Sequence, residues 1–330
     1  MSEREHWRAA RIARIEDLAP TIRLFELAPA DGIDAWRPGA HIGVRVQCAG
    51  RSEARHYSLL DLASDGRYRI AVKRIDDGFG GSRHLWSLRA GDALEISQPA
   101  HGFALDLGAP AYLMLAGGIG ITPLLSMAHQ ASQRGVPVEF HYAVRSRAEA
   151  VFAERLREWL GNALHLHVAA EGSRLDVVGV IAASHPDAQC YCCGPIGLLD
   201  AAQAAWQAQG RAAQDFRYES FGSGGHQANQ RFTVALPRYG VELEVAPDRS
   251  LLATLEDAGI EMLSGCRRGE CGLCAVDVLA CDTALDHRDV FFSEAERHEA
   301  KRMCTCVSRP VGGRLVIDTD YRGRPMPAAQ

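Results

Sequence analysis

Short apolar or alternating runs, separated by clusters of Pro, Gly and Asp, mark the first part of the chain. They read TIRLFEL, HIGVRVQ, RHYSLL, YRIAVKRI and DALEISQP. Strands of this length with turn residues between them are typical of a small closed antiparallel sheet. The pattern therefore predicts an antiparallel β-barrel over residues 1–108.

The pattern changes at Tyr112, where apolar strands begin to alternate with helical stretches. The strand YLMLA runs into the glycine turn GGIGITP and then into the amphipathic helix LLSMAHQASQRG. Further strands read VEFHYAV, LHLHVA and QCYCCG, and IGLLDAAQAAWQAQG follows the last of them as a helix. Because strands that alternate with helices indicate a parallel sheet, we expect an α/β parallel-sheet domain over residues 109–222.

A polar, glycine-rich stretch, GSGGHQANQ, follows this domain and offers nothing apolar to bury. Such a composition is typical of a linker, which we place at residues 223–231. The remaining residues, 232–330, begin with the strand-like run RFTVAL and carry a cluster of cysteines. They are predicted to form a separate compact domain.

Composition narrows the class of protein. The chain has 330 residues, 47% of them hydrophobic and 23% charged, which is too long for one average core and fits two or three domains. A net charge of −5 without a dense Lys/Arg stripe gives no footprint for nucleic acid. The opening MSEREHWRAARIARIEDL lacks the apolar core of a signal peptide, and no later run is long enough for a membrane helix. We therefore expect a cytoplasmic protein with no membrane partner, in which the ten cysteines are ligands, catalytic thiols or small buried residues.

The segment SGCRRGECGLCAV places Cys266, Cys271 and Cys274 in the spacing C-x4-C-x2-C. This spacing is the plant-type iron–sulfur arrangement, which takes a fourth thiolate from farther along the chain. The glycines of the segment let backbone N–H groups approach the cluster sulfurs. The alternatives are a zinc site, for which Cys266 is an outlier from the usual paired knuckles, and three inert core thiols.

Two downstream cysteines, Cys304 and Cys306, compete for the fourth ligand position, and Cys281 is the outsider. Cys304 and Cys306 lie in MCTCVSRP, which leads into the strand-like run RLVIDT, and Cys281 lies outside this segment. If MCTCVSRP is a paired strand, alternation puts Cys304 and Cys306 on the same face. The residue pattern alone therefore leaves the choice open.

The turn AGGIGITPLL follows a strand and opens a helix. Gly117, Gly118 and Gly120 can bring backbone N–H groups against a pyrophosphate at a helix N-terminus. The last glycine of the dinucleotide fingerprint is absent, and Pro123 suits a first helical turn. The alternative is a glycine turn that serves only tight packing.

A second turn, CYCCGPIGLL, ends the last strand of this sheet with Cys193, Gly194 and Pro195 and starts another helix. In an open parallel sheet, ligands bind beyond the carboxyl ends of the strands, where both turns are expected. Cys193 is a candidate for contact with a nicotinamide ring, and the alternative is a small buried thiol. We assign Cys190 and Cys192 to packing.

The run RHYSLL carries candidate flavin-binding residues. In an extended strand Arg55 and Tyr57 share a face, so one can hold a phosphate while the other lies on a flat ring, and Ser58 points to the opposite side. AVKRI and the FGGS loop add cations and a glycine–serine turn suited to phosphate. The alternative is a half-exposed surface strand. A flavin would link the other two groups, because it accepts a hydride and releases single electrons.

The ordered set RHYSL, AVKR, GGS, AGGIGITPLLSMA, YCCGP, ESFG, C-x4-C-x2-C, DHRD and CVSR resembles the phthalate dioxygenase reductase family, which includes reductases of the vanillate O-demethylase type. The resemblance runs the length of the chain. It implies an FMN-binding barrel of the ferredoxin-reductase type, an NAD-binding domain and a C-terminal plant-type ferredoxin domain of the β-grasp fold. Electrons would pass from NADH through FMN and a 2Fe–2S cluster to a Rieske non-haem iron oxygenase. It also implies a monomer.

The same resemblance implies roles for individual residues. Cys306 aligns with the first position of the CVSR motif and becomes the fourth cluster ligand, with Cys304 a bystander. The catalytic residues would be Thr122, Cys193 and Phe221. The residues implied for FMN are Arg55, Tyr57, Ser58, Ala71, Lys73, Gly81, Ser82 and Phe221, and those for the nicotinamide cofactor are Gly117, Gly118, Gly120, Thr122, Pro123, Cys193, Gly194 and Pro195.

Alternatives to this function come from the same residues. The chain could be a general electron carrier for several acceptors, or its acceptor could be a haem oxygenase. After the second strand of the sheet, Arg145, Ser146 and Arg147 could hold a 2′-phosphate, whereas Glu149 is the nearest carboxylate for a ribose hydroxyl, and the resemblance favours NADH. Two further arginines beside the cysteines, at 267 and 268, predict a basic docking face toward an acidic patch on the oxygenase.

Overall fold

The computed structural model describes residues 6–48, 50–60, 65–76, 78–221 and 227–319, and the backbone of 323–325. The described residues group into two compact units. The first comprises the described residues up to Asp76 together with Gly81–Glu219, and the second comprises residues 78–80 and the described residues from Ser220 onward. The predicted boundaries at residues 108 and 222 stay predictions, and residues 222–226, where the linker was predicted to begin, lie outside the described residues.

The first unit opens with an antiparallel six-stranded sheet in the order β4-β3-β6-β1-β2-β5. The two edge strands approach each other, and the N–H of Leu60, just after β4, donates to the carbonyl of Arg69 in β5 at 2.9 Å, so the sheet closes as a barrel. Fully buried Ile12, Phe25 and Ile42 fill its interior. The elements are β1 (Trp7–Ala19), β2 (Ile22–Pro29), β3 (His41–Cys48), β4 (Arg51–Ser58), β5 (Tyr68–Lys73), α1 (Gly81–Ser87) and β6 (Ala93–Ser97).

A five-stranded parallel sheet completes the first unit, in the order β11-β10-β7-β8-β9. The strand order reverses between β7 and β10, and such a switch point opens a crevice at the carboxyl ends of the two strands. The elements are β7 (Tyr112–Gly117), α2 (Ile121–Gln133), β8 (Val138–Val144), α3 (Ala153–Leu160), β9 (Leu164–Val168), α4 (Val177–Ala183), β10 (Gln189–Cys193), α5 (Ile196–Ala208) and β11 (Phe216–Glu219).

The second unit holds a mixed five-stranded sheet in the order β13-β12-β19-β15-β17, with β12 and β19 parallel. Helix α6 begins where the Ser250 hydroxyl accepts the N–H of Ala253, and its buried Leu251, Leu252 and Leu255 belong to the same apolar core as the sheet. The elements are β12 (Phe232–Leu236), β13 (Val241–Val245), α6 (Leu251–Asp257), β14 (Ile260–Met262), β15 (Ala275–Cys281), β16 (Leu285–Asp286), α7 (Glu294–Glu299), β17 (Arg302–Cys304), β18 (Arg309–Pro310), β19 (Arg314–Asp318) and β20 (Gly323–Pro325).

These three sheets confirm the predicted order of domains along the chain: an antiparallel barrel, then a parallel α/β sheet, then an α+β domain of the ferredoxin type. Strand β1 was missed, because the opening segment reads as a run of charges. The longest helices among the described residues have 13 residues, and none has both the length and the apolar character that crossing a membrane requires.

Candidate functional site

The cysteine loop between β14 and β15 directs backbone N–H groups at a sulfur atom. The Sγ of Cys266 accepts the N–H groups of Arg268, Glu270 and Cys271 at 3.4, 3.3 and 3.4 Å. N–H donors of this kind stabilise a thiolate, which is the form that binds iron. The loop therefore has the donors that a plant-type cluster needs around its first ligand.

Two glycines allow this loop to pack closely. Gly269 and Gly272 both have positive φ angles, +79° and +68°. A Cβ on Gly269 would lie 2.7 Å from a methyl of Val307, and one on Gly272 would collide with the ring of Phe291. The loop conformation thus needs glycine at both positions for backbone and for space.

Cys274 lies where the loop meets the segment that follows β17. The carbonyl oxygen of Cys274 accepts the N–H of Thr305 at 3.2 Å and its hydroxyl at 2.9 Å. Thr305 is fully buried between Cys304 and Cys306, and hydrogen bonds from these two thiols lower the pKa of Cys274. Both candidate ligands therefore lie beside Cys274, and sequence reasoning missed the threonine that holds them there.

The surroundings of the two candidate sulfurs differ. Strand β17 ends at Cys304, so Cys306 lies in a turn and the strand alternation that would equate the two cysteines does not apply. The hydrogen bond to Cys274, burial and the nearby Cys266 raise the pKa of Cys306. The N–H of Gly269 donates to the sulfur of Cys306 and lowers this pKa. Cys306 is thus approached by the cysteine loop itself, which favours it as the fourth ligand.

A buried carboxylate braces the loop from the other side. Asp289 is fully buried and accepts the Ser308 hydroxyl at 2.7 Å, the Phe292 N–H at 3.1 Å and the His287 ring at 3.4 Å. Burial alone would raise the pKa of Asp289, but these hydrogen bonds hold it below its usual range. The N–H of Val290 also donates to the carbonyl of Gly269 at 3.0 Å. The DHRD and CVSR strings therefore form one scaffold for the cysteine loop.

Two buried arginines of the same strings hold the segment that precedes β12. Arg288 pairs with Asp286 at 2.6 Å and donates to the side-chain oxygen of Asn229 at 2.6 Å. Arg309 donates to the carbonyls of Gln230 at 2.7 Å and Pro247 at 3.1 Å, and burial lowers its pKa to about 10. The described end of the predicted linker is therefore hydrogen-bonded within the second unit.

The arginines beside the cysteines have carboxylate partners within the chain. Arg267 donates to both oxygens of Glu256, at 2.6 and 3.1 Å, and Arg268 pairs with Glu270 at 3.1 Å. Both charges are thus partly neutralised, which weakens the predicted basic docking face. Large apolar side chains of the same region are exposed instead: Leu263 by 53%, Leu273 by 46% and Phe291 by 44%.

The two turns at the crevice of the parallel sheet touch backbone to backbone. A Cβ on Gly120 would collide with the carbonyl oxygen of Cys193, one on Gly117 would lie 2.6 Å from the ring of Pro195, and one on Gly194 would lie 3.0 Å from Gly117. The glycines and the Cys193–Pro195 turn, which lie far apart in sequence, are therefore brought together.

The remaining predicted residues of this crevice line the start of α2. Gly118 has a φ of +53° and lies in a single 3₁₀ turn, where its Cα faces open space. Thr122 is buried and its hydroxyl donates to the Ile119 carbonyl at 3.0 Å, and Pro123 lies in the first turn of α2. Cys193 is fully buried at the end of β10. The crevice thus combines a helix N-terminus with open space above its glycine turn.

The barrel presents an unsatisfied polar atom at the predicted flavin site. The Oγ of Ser58, at the end of β4, is buried and has no hydrogen-bond partner among the described residues. Burial raises the pKa of the neighbouring Tyr57, which keeps its phenol neutral. A buried hydroxyl without a partner costs stability unless a ligand completes it, so Ser58 fits a polar ring edge.

The predicted phosphate-binding residues lie around the start of α1. A Cβ on Gly81 would lie 2.7 Å from the Arg55 side chain, so Gly81 leaves room for the guanidinium. Arg55 donates to Glu53 at 2.6 Å and to the Ala54 carbonyl at 2.9 Å. Ser82 accepts the N–H of Ile75 at 3.0 Å, and its hydroxyl donates to none of the described residues.

Strand β5 carries the last two barrel residues. Ala71 is buried, and Lys73 pairs with Glu149 of the parallel sheet domain at 3.2 Å. Lys73, which was predicted to bind flavin, and Glu149, which was predicted to bind a ribose hydroxyl, therefore form an ion pair with each other. Arg147 donates to both carboxylate oxygens of Glu171, and the structure shows Arg145 exposed.

Phe221 follows β11 and is half-buried in the second unit. In the same unit, the N–H of Ser220 donates to Glu270 at 2.7 Å, and burial raises the pKa of Glu270. The placement of Phe221 beside a flavin remains a prediction.

Comparison with known proteins assigns each sheet to a domain family. Residues 9–104 match an oxidoreductase FAD-binding domain, 114–204 an oxidoreductase NAD-binding domain, and 234–311 a 2Fe-2S iron-sulfur cluster binding domain. The three matches follow the barrel, the parallel sheet and the cysteine-bearing unit in order.

Relatives extend the likeness over nearly the whole chain. The heme-dependent oxidative N-demethylase beta subunit of Ectopseudomonas mendocina is 38% identical over 93% of this chain and 97% of its own length. The phthalate dioxygenase reductase of Burkholderia cepacia is 35% identical over 93% and 96%. A solved structure described as phthalate dioxygenase reductase, a modular structure for electron transfer from pyridine nucleotides to 2Fe–2S, matches with a TM-score of 0.74 and 32% identity over 94% of this chain and 98% of that one.

A barrel for flavin, a parallel sheet for NAD and a 2Fe–2S domain in one chain define an iron–sulfur flavoprotein reductase. The chain belongs to the phthalate dioxygenase reductase family. It is an oxidoreductase that moves electrons from a nicotinamide cofactor through flavin and iron–sulfur groups toward an oxygenase.

Proposed function

We propose that this reductase takes electrons from NADH and delivers them singly to a Rieske non-haem iron oxygenase, through FMN and a 2Fe–2S cluster bound by Cys266, Cys271, Cys274 and Cys306. The observation that carries the proposal is the cysteine loop, whose N–H groups converge on Cys266 in the same chain as a nucleotide crevice and a flavin cradle. Bound flavin would supply the conversion between a hydride and single electrons.

The residues of the crevice bind and orient the nucleotide. The N–H groups of the turn from Gly117 to Gly120 face the position that a pyrophosphate would take at the start of α2. Close packing of Gly120 on Cys193 sets the distance between the phosphate turn and the nicotinamide side. Thr122 is held by the Ile119 carbonyl, so its oxygen is presented in one orientation.

The barrel residues hold the flavin. Ser58 gains the hydrogen bond that its buried hydroxyl lacks, and the neutral Tyr57 offers a flat face to the ring system. Arg55, for which Gly81 leaves room, would exchange part of its pairing with Glu53 for one terminal phosphate, which supports FMN rather than FAD. NADH is favoured over NADPH because Glu171 neutralises Arg147.

The acceptor docks on the exposed apolar side chains near the cysteine loop. Cys271 is exposed, and Leu273 follows it with 46% of its surface accessible. Exposed large apolar residues in one place mark an interaction surface. A plant-type cluster lies near roughly −400 mV and Rieske centres at roughly −150 to +300 mV, so transfer to a Rieske oxygenase is downhill.

A haem oxygenase is the second candidate acceptor, because a relative of 38% identity is named a subunit of a heme-dependent N-demethylase. The test supplies the full-length reductase with NADH and assays it once with a Rieske oxygenase component and once with a haem oxygenase component. The measured quantity is the product formed per NADH consumed. The proposal predicts faster and better coupled turnover with the Rieske component, and acid-released flavin that migrates as FMN. Preferred coupled turnover with the haem component would overturn the Rieske assignment, equal rates with both would indicate a general carrier, and released FAD would overturn the assignment of FMN.

A further inference from the structure

Two neighbouring strands of the parallel sheet carry metal-ligating side chains on facing positions. Glu139 and His141 lie two residues apart on β8, and His165 and His167 lie two residues apart on β9. The strands are parallel, with His141 opposite His165. Because side chains alternate between faces, both pairs share one face of the sheet. The nucleotide crevice uses none of these four residues.

The potential ligand atoms already lie close together. Oε1 of Glu139 is 2.9 Å from Nε2 of His141, and the rings of His141 and His165 stack with centroids 4.6 Å apart. One ligand atom from each of the three residues lies within 4.8 Å of the others. Ligand atoms of a tetrahedral zinc site, with bonds of about 2.0–2.1 Å, are about 3.3 Å apart. The ligand atoms must therefore move together by about 1.5 Å, and the stacked imidazoles must turn so that one nitrogen of each points at the ion.

A fourth residue supplies an outer partner for the central histidine. Nε2 of His167 lies 3.0 Å from Nδ1 of His141. Without metal, the carboxylate of Glu139 accepts a hydrogen bond from Nε2 of His141. A neutral His141 therefore carries its hydrogen on Nε2, and its Nδ1 accepts a hydrogen bond from His167. With metal on Nε2, the hydrogen moves to Nδ1 and His167 accepts it. Metal-bound histidines are held by such partners.

Burial and exposure also suit a metal site at this place. His141 is only 4% exposed, while His165 is exposed and leaves an approach from solvent. A metal ion can therefore reach the buried imidazole from the solvent side.

We propose that Glu139, His141 and His165 form a binding site for a divalent transition metal such as Zn²⁺, with His167 orienting His141. Two imidazoles and a carboxylate are ligands that zinc, nickel and copper accept, and water would take the open position. The site joins edge strand β9 to β8 and stabilises the folded sheet when filled.

The test titrates the full-length oxidised holoprotein with Zn²⁺ by calorimetry, while the visible iron–sulfur spectrum is followed to exclude exchange at the cysteines. We expect one site with a dissociation constant below about 100 µM. His165→Ala and Glu139→Gln should each weaken binding by about tenfold or more, and His167→Gln by about tenfold. His298→Gln, which changes an exposed histidine of the second unit, is the matched control and should leave binding unchanged.

Copper provides a second readout that reports the ligands. The Cu²⁺ spectrum of the oxidised protein should show coupling to two imidazole nitrogens, and His165→Ala should reduce this to one. Thermal unfolding of each variant without metal verifies that it is folded. Absence of a site tighter than about 100 µM, or a site that persists unchanged in His165→Ala and Glu139→Gln, would overturn the proposal.

Discussion

The carbonyl oxygen of Cys193 occupies the space that a Cβ atom on Gly120 would need. Gly120 itself has an ordinary helical φ of −62°, so a side chain there is excluded by space and not by backbone strain. Gly120→Ala should therefore push the phosphate turn away from the Cys193–Pro195 turn. We expect kcat/KM for NADH to fall by about 10- to 100-fold, because displacements of about 1 Å have effects of that size. Stopped-flow measurement of flavin reduction by NADH reads this directly.

The matched control for that substitution is Gly197→Ala. Gly197 lies in the first turn of α5, and a Cβ there would meet no atom within 4 Å. Because alanine favours helices, this change should leave the rate of flavin reduction and the stability unchanged or slightly improved. If both variants lost the same fraction of the rate of flavin reduction, the loss in Gly120→Ala would not come from the contact with Cys193.

Cys306 and Cys304 can be separated by exchange for serine. Cys306 receives the N–H of Gly269 from the cysteine loop, whereas Cys304 ends strand β17. Cys306→Ser should bleach or shift the visible and EPR spectra of the cluster, and Cys304→Ser should leave both intact. The reverse pattern would place the fourth ligand two residues earlier.

Asp289 should stabilise the second unit strongly. It is fully buried and accepts hydrogen bonds from Ser308, Phe292 and His287, so Asp289→Ala leaves buried donors without partners. We expect the free energy of unfolding to fall by about 2–4 kcal/mol. Thermal loss of the cluster absorption measures this, with the exposed Glu261→Ala as a control that should not move the midpoint. An unchanged midpoint in Asp289→Ala would contradict the bracing role.

The pairing of Arg147 with Glu171 should affect the choice between NADH and NADPH. Glu171→Gln removes the carboxylate that neutralises Arg147 and leaves a cation for a 2′-phosphate. We expect kcat/KM for NADPH to rise by about two- to fivefold, the size typical of exposed charge pairs, with NADH unaffected. Glu158→Gln, an exposed residue of α3, controls for net charge. A higher kcat/KM for NADPH than for NADH in the unmodified protein would contradict the proposed preference.

Local patterns predicted most of the fold. The apolar or alternating runs of β2 to β10, β12 and β19 were found, and so was the helix that follows each glycine turn, whereas β11, β13 and β15 were not predicted. Strand β1 was not found, because its register shifts between Ile12 and Arg14 and the charged residues between its buried positions hide the apolar ones.

The candidate site was predictable where it depends on neighbours in sequence. The spacing of Cys266, Cys271 and Cys274 and the two glycine turns are local and could be read directly. The surroundings of Cys306, the pair formed by Lys73 and Glu149, and the partners of the loop arginines join distant segments. No spacing rule connects such residues, so only the folded structure shows that the arginines beside the cysteine loop are paired while Leu273 and Phe291 are exposed.

The central claim is that electrons leave this protein through the cysteine loop. Cys271→Ser in the full-length chain tests it most directly, because Cys271 is exposed and its loss should disturb only the cluster. Reduction of ferricyanide by NADH should stay within about twofold of the unmodified rate, while NADH-driven product formation by the oxygenase falls by more than about 100-fold. Cys281→Ser, a half-buried thiol outside the loop, should keep both rates. Oxygenase turnover near the unmodified rate in Cys271→Ser would show that electrons leave from the flavin, and the account would be wrong.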